Sequence, residues 1–282
     1  MKRNAIIRVV GWSIALVVLT SLLVGGMIYF LPYQQEQAAA EVVDATEFPA
    51  DSLNYGTSAG DIRSIQIDWV SGNIQIQPAD IDHIQVSESA AYGNTEAMLC
   101  RKEGDTLKIS YRRSDIASLK GIGTKDLTIQ VPKDWNCRKL EIDAASPKIS
   151  VQGLTVDEVS LDTASGESRF EGCTLGKLDA DTASGNLYLT GALEDLEYDS
   201  ASGSVEAELD SVPGEISMDT ASGSLTLKLP KDAGFTVEMD TLSGQFRSDF
   251  ETAQRGDRYL CGNGDCEIEM ESMSGGVTVN QK

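Results

Sequence analysis

Leu161–Leu189 reads LDTASGESRFEGCTLGKLDADTASGNLYL, so the phrase Asp-Thr-Ala-Ser-Gly at Asp162–Gly166 returns at Asp181–Gly185, 19 residues later. It recurs intact at Asp219–Gly223, and near copies begin at Asp68, Asp143, Asp199, Asp240 and Glu271. From Asp143 onward the acids are spaced by 19, 19, 18, 20 and 21 residues up to Asp240. A period in this range marks a solenoid, in which each repeat is one coil of a stack.

Each copy carries the same local instructions. An apolar residue precedes the acid (Ile67, Ile142, Leu161, Met218, Met239, Met270), and apolar residues resume two and four places after the Gly slot, as in Leu187 and Leu189 or Leu225 and Leu227. This alternation has period two, so each half-repeat is a strand with one buried face. Ser-Gly marks a corner, because glycine reaches backbone angles closed to other residues and Ser or Asp can bond a nearby N–H. Gly153, Gly172 and Gly191 mark a second corner. A small residue, mostly Ala, stands two places after the acid (Val70, Ala145, Ala164, Ala183, Ala201, Ala221), beside the corner where a coil should be narrowest. About 20 residues are too few for a strand–helix–strand unit, and they suit parallel strands stacked at ~4.8 Å per coil. The expected fold is therefore all-β: a single-stranded β-solenoid of about 20-residue coils with inserted hairpins.

Leu127–Asp143 (LTIQVPKDWNCRKLEID) and Leu225–Asp240 (LTLKLPKDAGFTVEMD) reuse one unit, a strand, a Pro-Lys-Asp turn, a strand and an acid. The repeat is interrupted between Asp68 and Asp143 and between Asp240 and Glu271. Such insertions are expected on the outside of the solenoid. In the second, Tyr259–Ile268 has the pattern of a hairpin with a Gly-Asn-Gly tip.

Val9–Leu31 holds no charged residue, is long enough to cross a bilayer core of ~30 Å, and follows Lys2, Arg3 and Arg8. The positive-inside bias puts the N-terminus in the cytoplasm. The expected organisation is a cytoplasmic stub (1–8), a transmembrane anchor (9–31), a flexible tether (32–60) and an extracytoplasmic repeat domain (61–282), in a single-pass cell-membrane protein. A signal peptide cleaved after Ala38–Ala40 is the alternative. The chain carries −21, and the three positive charges ahead of the anchor leave −24 for the rest. That charge argues against nucleic acid and against an anionic membrane surface as partners.

The stacked acids are the conspicuous candidate site. Two unit charges ~5 Å apart repel by roughly 0.8 kcal/mol in water, and more where the dielectric falls. Solvation and bonds from each corner's own N–H are one way to relieve this. A Ca²⁺ ladder through Asp162, Asp181, Asp199 and Asp219 is the other, since hard oxygen ligands suit that ion. Of the five cysteines, Cys261 and Cys266 flank the expected hairpin tip and could form a disulfide, Cys100 with Cys137 is a weaker pairing, and Cys173 reads as a core residue. One Cys-x4-Cys pair and the lone His83 make no familiar zinc set. The Asp-Thr of the repeat echoes aspartic proteases, but those need two carboxylates sharing a proton in a cleft. Arg255-Gly256-Asp257 spells a tripeptide read by integrins. No nucleophile elbow or phosphate loop is present, so no catalytic residue, cofactor or metal is assigned.

The N-terminal anchor, followed by Ile67–Ile76 (IDWVSGNIQI), Leu161–Gly166, Asp181–Leu189, Asp199–Val205, Asp219–Leu227 and Asp240–Phe246, resembles a bacterial domain-of-unknown-function family labelled "putative adhesin", which includes LiaG-like membrane-anchored envelope proteins. The resemblance spans roughly residues 60–280. It implies a β-solenoid in the cell envelope with no catalytic residues to carry over. Ser146-Pro147 and Glu271 depart from the pattern and imply altered corners. The leading functional expectation is a non-enzymatic module binding an envelope or extracellular ligand, glycan or protein. An envelope-stress accessory acting through a membrane signalling partner is the alternative, and a carbohydrate-active enzyme on a β-helix is the remote one.

Overall fold

The computed structural model describes residues 54–89, 97–111 and 124–282. The expected stub, the anchor and most of the tether lie outside the described residues. Among the described residues no helix is long and apolar enough to cross a membrane. Among the described residues the fold is all-β apart from one turn of 3-10 helix at Ala59–Asp61.

The strands in chain order are β1 (Asn54–Ser58), β2 (Ser64–Ala79), β3 (His83–Glu88), β4 (Leu99–Glu103), β5 (Thr106–Ser110), β6 (Leu127–Pro132), β7 (Asn136–Gln152), β8 (Thr155–Ser202), β9 (Val205–Leu209), β10 (Glu215–Ser222) and β11 (Leu225–Leu229). They are followed by β12 (Phe235–Thr241), β13 (Phe246–Ser248), β14 (Ala253–Arg255), β15 (Arg258–Cys261), β16 (Cys266–Ser274) and β17 (Val277–Gln281). The long strands β2, β7 and β8 bend through corners without losing their ladders, and β8 alone runs for 48 residues. Asn54–Ser58, within the segment read as tether, form β1, which pairs antiparallel with β3.

The rungs stack in parallel with the repeated phrases in register. Asp68 pairs with Asp143, Asp143 with Asp162, and Asp199 with Asp219. Inward positions make one continuous core, including Ile67, Ile142, Val159, Leu187, Met218, Leu227, Ile268 and Val279, all nearly or wholly buried. Tyr198 occupies an inward slot held elsewhere by Ile, Leu, Ala or Met, and its hydroxyl donates to the Gly185 carbonyl at 2.6 Å. Cys173 is buried in the core as expected.

The rung order departs from chain order at both ends. β2 lies between the β5/β6 rung and β7, although β5 and β6 follow β2 in sequence. At the other end β16 lies between β10 and β12, and β17 between β11 and β13. The final segment of the chain is thus an interior rung. The two crossovers that skip a rung, β6 to β7 and β11 to β12, are the two Pro-Lys-Asp turns. Each is closed by the same bond, from Trp135 N to Pro132 O at 3.1 Å and from Ala233 N to Pro230 O at 3.0 Å. The duplicated unit in the sequence encodes a rung-skipping turn.

The interruptions of the repeat are end caps rather than ornaments on the flank. β4 pairs antiparallel with β5, and β3 antiparallel with β6. At the opposite end β15 pairs antiparallel with β12, and β14 with β15. The expected Tyr259–Ile268 hairpin does not form, because β12 separates β15 from β16. This also corrects the Cys261–Cys266 disulfide. Cys261 and Cys266 pair with Phe235 from opposite sides, so two strand spacings of ~4.8 Å part them, beyond the ~7 Å that a bridge tolerates between Cα atoms. All five cysteines are free thiols in the structure, and Cys100 and Cys137 are likewise on strands with β5 and β2 between them.

Candidate functional site: the acidic face and the polar flank

The residue before each corner that points inward is the one directly after the acid, not the alanine two places on. Thr163, Thr182, Ser200, Thr220 and Ser272 are buried, whereas the alanine column faces outward and ends in Met273 and Leu242, exposed at 44% and 49%. The buried hydroxyls satisfy one another from rung to rung: Thr163 to Thr182 at 3.1 Å, Ser200 with Thr220 at 2.9 Å and Ser272 to Thr241 at 3.1 Å. A buried hydroxyl without a partner costs free energy, and the ladder removes that cost. At Gly72 and Gly166 the corner glycine has the left-handed backbone expected of it, φ 114° and 130°, and elsewhere in the slot a second cause operates. At Gly203, Gly223, Gly275 and Gly244 a Cβ would overlap the carbonyl oxygen of the glycine on the neighbouring rung, so close backbone approach excludes side chains. Pro147 occupies this slot opposite Gly72, and Glu271 keeps its register with Asp219 and Asp240, so neither departure changes the fold.

The acids form a single file on one face. Along the stack they run Asp68, Asp143, Asp162, Asp181, Asp199, Asp219, Glu271 and Asp240. A second outward column two residues upstream adds Glu141, Asp179, Glu197, Glu269 and Glu238. Lys139 and Lys177 offset part of this charge, with Lys139 3.0 Å from Glu158 and Lys177 2.9 Å from Glu197. The corner N–H groups are committed between rungs, as in Gly203 N to Ser222 O and Gly223 N to Ser274 O, both 3.2 Å, so they do not serve the carboxylates. Partial burial, reinforced by neighbouring acids, therefore pushes Asp143 up to about 7, Asp181 to about 6 and Asp199 to about 7. Asp162, Asp219 and Glu271 move the same way, burial again the main cause. Among the described residues no three His, Cys, Asp or Glu side chains converge as a metal would require. Asp162, Asp181, Asp199 and Asp219 stand one per rung, and proton uptake by the raised carboxyls is one relief of their mutual repulsion.

These shifts give a pH dependence opposite to ordinary acid denaturation. A carboxyl raised in the folded state adds stability that is complete below its unfolded value near 4 and is lost as pH climbs through its folded value. The melting temperature is expected to rise as pH falls from 8 to 5. Asp199→Asn is expected to stabilise by about 1 kcal/mol at pH 8, discounted for solvent screening, and to change little at pH 4. Thermal melts at the three pH values check this; a melting temperature that falls steadily from pH 8 to 5 would contradict it.

The other broad face, built on the second half of each rung, is mixed rather than acidic. Its outward side chains include Arg169, Tyr188, Thr190, Glu206, Glu208 and Lys228, which line a shallow groove of about 350 Å³. Arg169 lies over the Tyr188 ring at 4.0 Å and bonds Glu167 at 2.7 Å, and Lys228 meets Glu208 at 3.3 Å. This is the meeting of acids with Arg and Lys on a flank that a carbohydrate-active reading asks for. That chemistry also needs one carboxyl held protonated beside an ionised one. Here Arg169 holds Glu167 below its ordinary range, while the acids pushed up to about 6 or 7 stand on the strand segments before the Ser-Gly corner and do not line this groove. The alternation of the strands gave the outward positions, but only the stacking showed that these six residues share a groove. Arg255-Gly256-Asp257 forms the exposed turn of the β14–β15 hairpin at the end of the stack.

A stack of parallel β-rungs with corner glycines, capped by antiparallel strands, defines a solenoid-like, all-β repeat domain. The chain belongs to the Toastrack DUF4097 family, whose model matches residues 62–194 and again residues 136–280. The double match follows from the internal repeat. No protein of curated function matches the chain. Among solved structures it is similar to a "putative adhesin" from Bacteroides fragilis, at 13% identity over 81% of this chain and 96% of the other, with a TM-score of 0.47. It is also similar to a "putative cell adhesion protein" from Clostridium sporogenes (10% identity, 81% and 98% covered, TM-score 0.38). A third is a "putative lipid binding protein" from Parabacteroides distasonis (12% identity, 81% and 96% covered, TM-score 0.33). The family assignment rests on the family model.

Proposed function

We propose that the protein is a non-enzymatic binding module, held at the cell membrane by residues 9–31 and presenting its repeat domain outside the cytoplasm to an extended ligand of the envelope or its surroundings. The observation that carries this reading is the polar flank. Arg169 stacked on Tyr188, with Thr190, Glu206, Glu208 and Lys228 on adjacent rungs, offers aromatic surface and hydrogen-bonding groups at the strand spacing. Rungs follow one another at ~4.8 Å, so an extended polymer lying along the stack meets outward groups from several rungs in succession. The separation of protonatable from cation-paired acids favours binding over hydrolysis.

Binding of the full-length protein in neutral micelles to a panel of purified envelope polysaccharides and host polymers tests the reading. At least one polymer is expected to bind, and Tyr188→Ala with Arg169→Ala is expected to weaken it ten-fold or more. A panel with no binding, or binding indifferent to both substitutions, would sink it. External protease applied to intact cells tests the topology, and protection of the repeat domain would count against it.

A further inference from the structure

Both ends of a stack expose strand edges, and this protein covers three of its four. β4 covers β5, β3 covers β6, and β15 covers β12, each as an antiparallel strand. The fourth edge is β13, whose one partner among the described residues is β17. Val277 N donates to Gln245 O and Asp249 N to Val279 O, both 3.2 Å. In a parallel ladder this turns the N–H and C=O groups of Phe246 and Ser248 away from the stack. Beside this edge runs a groove of about 650 Å³ between the terminal rung and the β14–β15 hairpin. Its apolar part is Met239, Phe246 and Tyr259, the last two rings 4.4 Å apart. Met239 N to Asp257 O, at 3.4 Å, holds the hairpin turn against β12. Two carboxylates, Asp240 and Asp257, line the groove, and no basic side chain does.

We infer that this end of the stack docks an extended basic segment of a partner protein. The segment adds to β13 as the missing antiparallel cap and places a Lys or Arg between Asp240 and Asp257, against the rings of Phe246 and Tyr259. Main-chain bonds to Phe246 and Ser248 supply the attachment. The acids select a cation, which the aromatic faces also attract. This end site is separate from the polar flank, so it stands or falls independently of polymer binding there.

The test is fluorescence anisotropy of the full-length protein in neutral micelles with an end-blocked, labelled nonapeptide of alternating lysine and valine, against the same peptide with glutamate for lysine. The lysine peptide is expected to bind at least ten-fold more tightly. Ser248→Pro removes an outward N–H while leaving the β17 ladder intact, and is expected to weaken binding about ten-fold with an unchanged circular dichroism spectrum. The double substitution Asp240→Asn with Asp257→Asn alters exposed or half-buried groups and keeps the test open if Ser248→Pro does not fold; it is expected to weaken binding at least five-fold. Asp181→Asn, on the acidic face, is expected to leave it unchanged. Equal binding of the two peptides, equal loss with Asp181→Asn, or wild-type binding by Ser248→Pro and by the double variant would each overturn the inference. So would a dimer of the full chain that Ser248→Pro dissolves, which would make a second copy the occupant.

Discussion

A chain ended at Asn263 is expected not to fold, because the residues removed form a rung inside the stack rather than its tip. β16 and β17 fill the space between β10/β11 on one side and β12/β13 on the other. Without them two ladders lose their partners at once. Cys266, Ile268, Met270, Val277 and Val279, all 1% exposed or less, leave the core together. At ~1.5–3 kcal/mol for each buried side chain the loss is on the order of 10 kcal/mol, the whole stability of an ordinary domain. In a solenoid built in chain order, removing the last coil only shortens the stack. Circular dichroism and size exclusion of the shortened protein check the expectation, and a synthetic peptide of residues 264–282 is expected to restore the fold. A shortened chain that melts cooperatively near the full-length temperature would show that the final segment is not an interior rung.

Gly223→Ala is expected to destabilise by about 3 kcal/mol, through overpacking of backbone against backbone. The added methyl would overlap the Gly203 carbonyl, and the carbonyl of Gly223 itself packs the same way against Gly275 on the next rung, so the backbone cannot shift without moving a second ladder. Gly104→Ala is the informative comparison. Gly104 has a φ of 62° and nothing within 4 Å of the added methyl, so only the left-handed backbone penalty of about 1 kcal/mol applies. Urea unfolding of the two variants separates the causes. Equal losses would mean that the corner glycine is present for its backbone angles alone.

Much of the architecture was legible in the chain. The repeated phrase supplied the rung length, and the alternation around it supplied the buried face. Register followed, because a one-residue slip would turn Leu187 and Leu189 outward and bury Tyr188 and Thr190. The Pro-Lys-Asp unit was visible as a duplication, although its meaning as a rung-skipping turn was not. The candidate sites were less legible. The alanine column was expected at the narrowest part of the coil, yet it faces outward, because the strand's alternation runs on through the acid (out), the hydroxyl residue (in) and the alanine (out). The cysteines flanking Gly262-Asn263-Gly264 looked close in sequence, but a third strand passes between them.

The sequence by itself determined that parallel rungs stack with acids, hydroxyls and glycines in files, since each repeat carries the same local preferences. It did not determine which rung lies beside which, because equivalent repeats can pair equally well with any other. Tertiary structure decided that order through the two crossovers and the antiparallel caps. It thereby decided which carboxylates stand beside one another, which six side chains meet on the polar flank, and which rung edge, among the described residues, lacks an antiparallel cap.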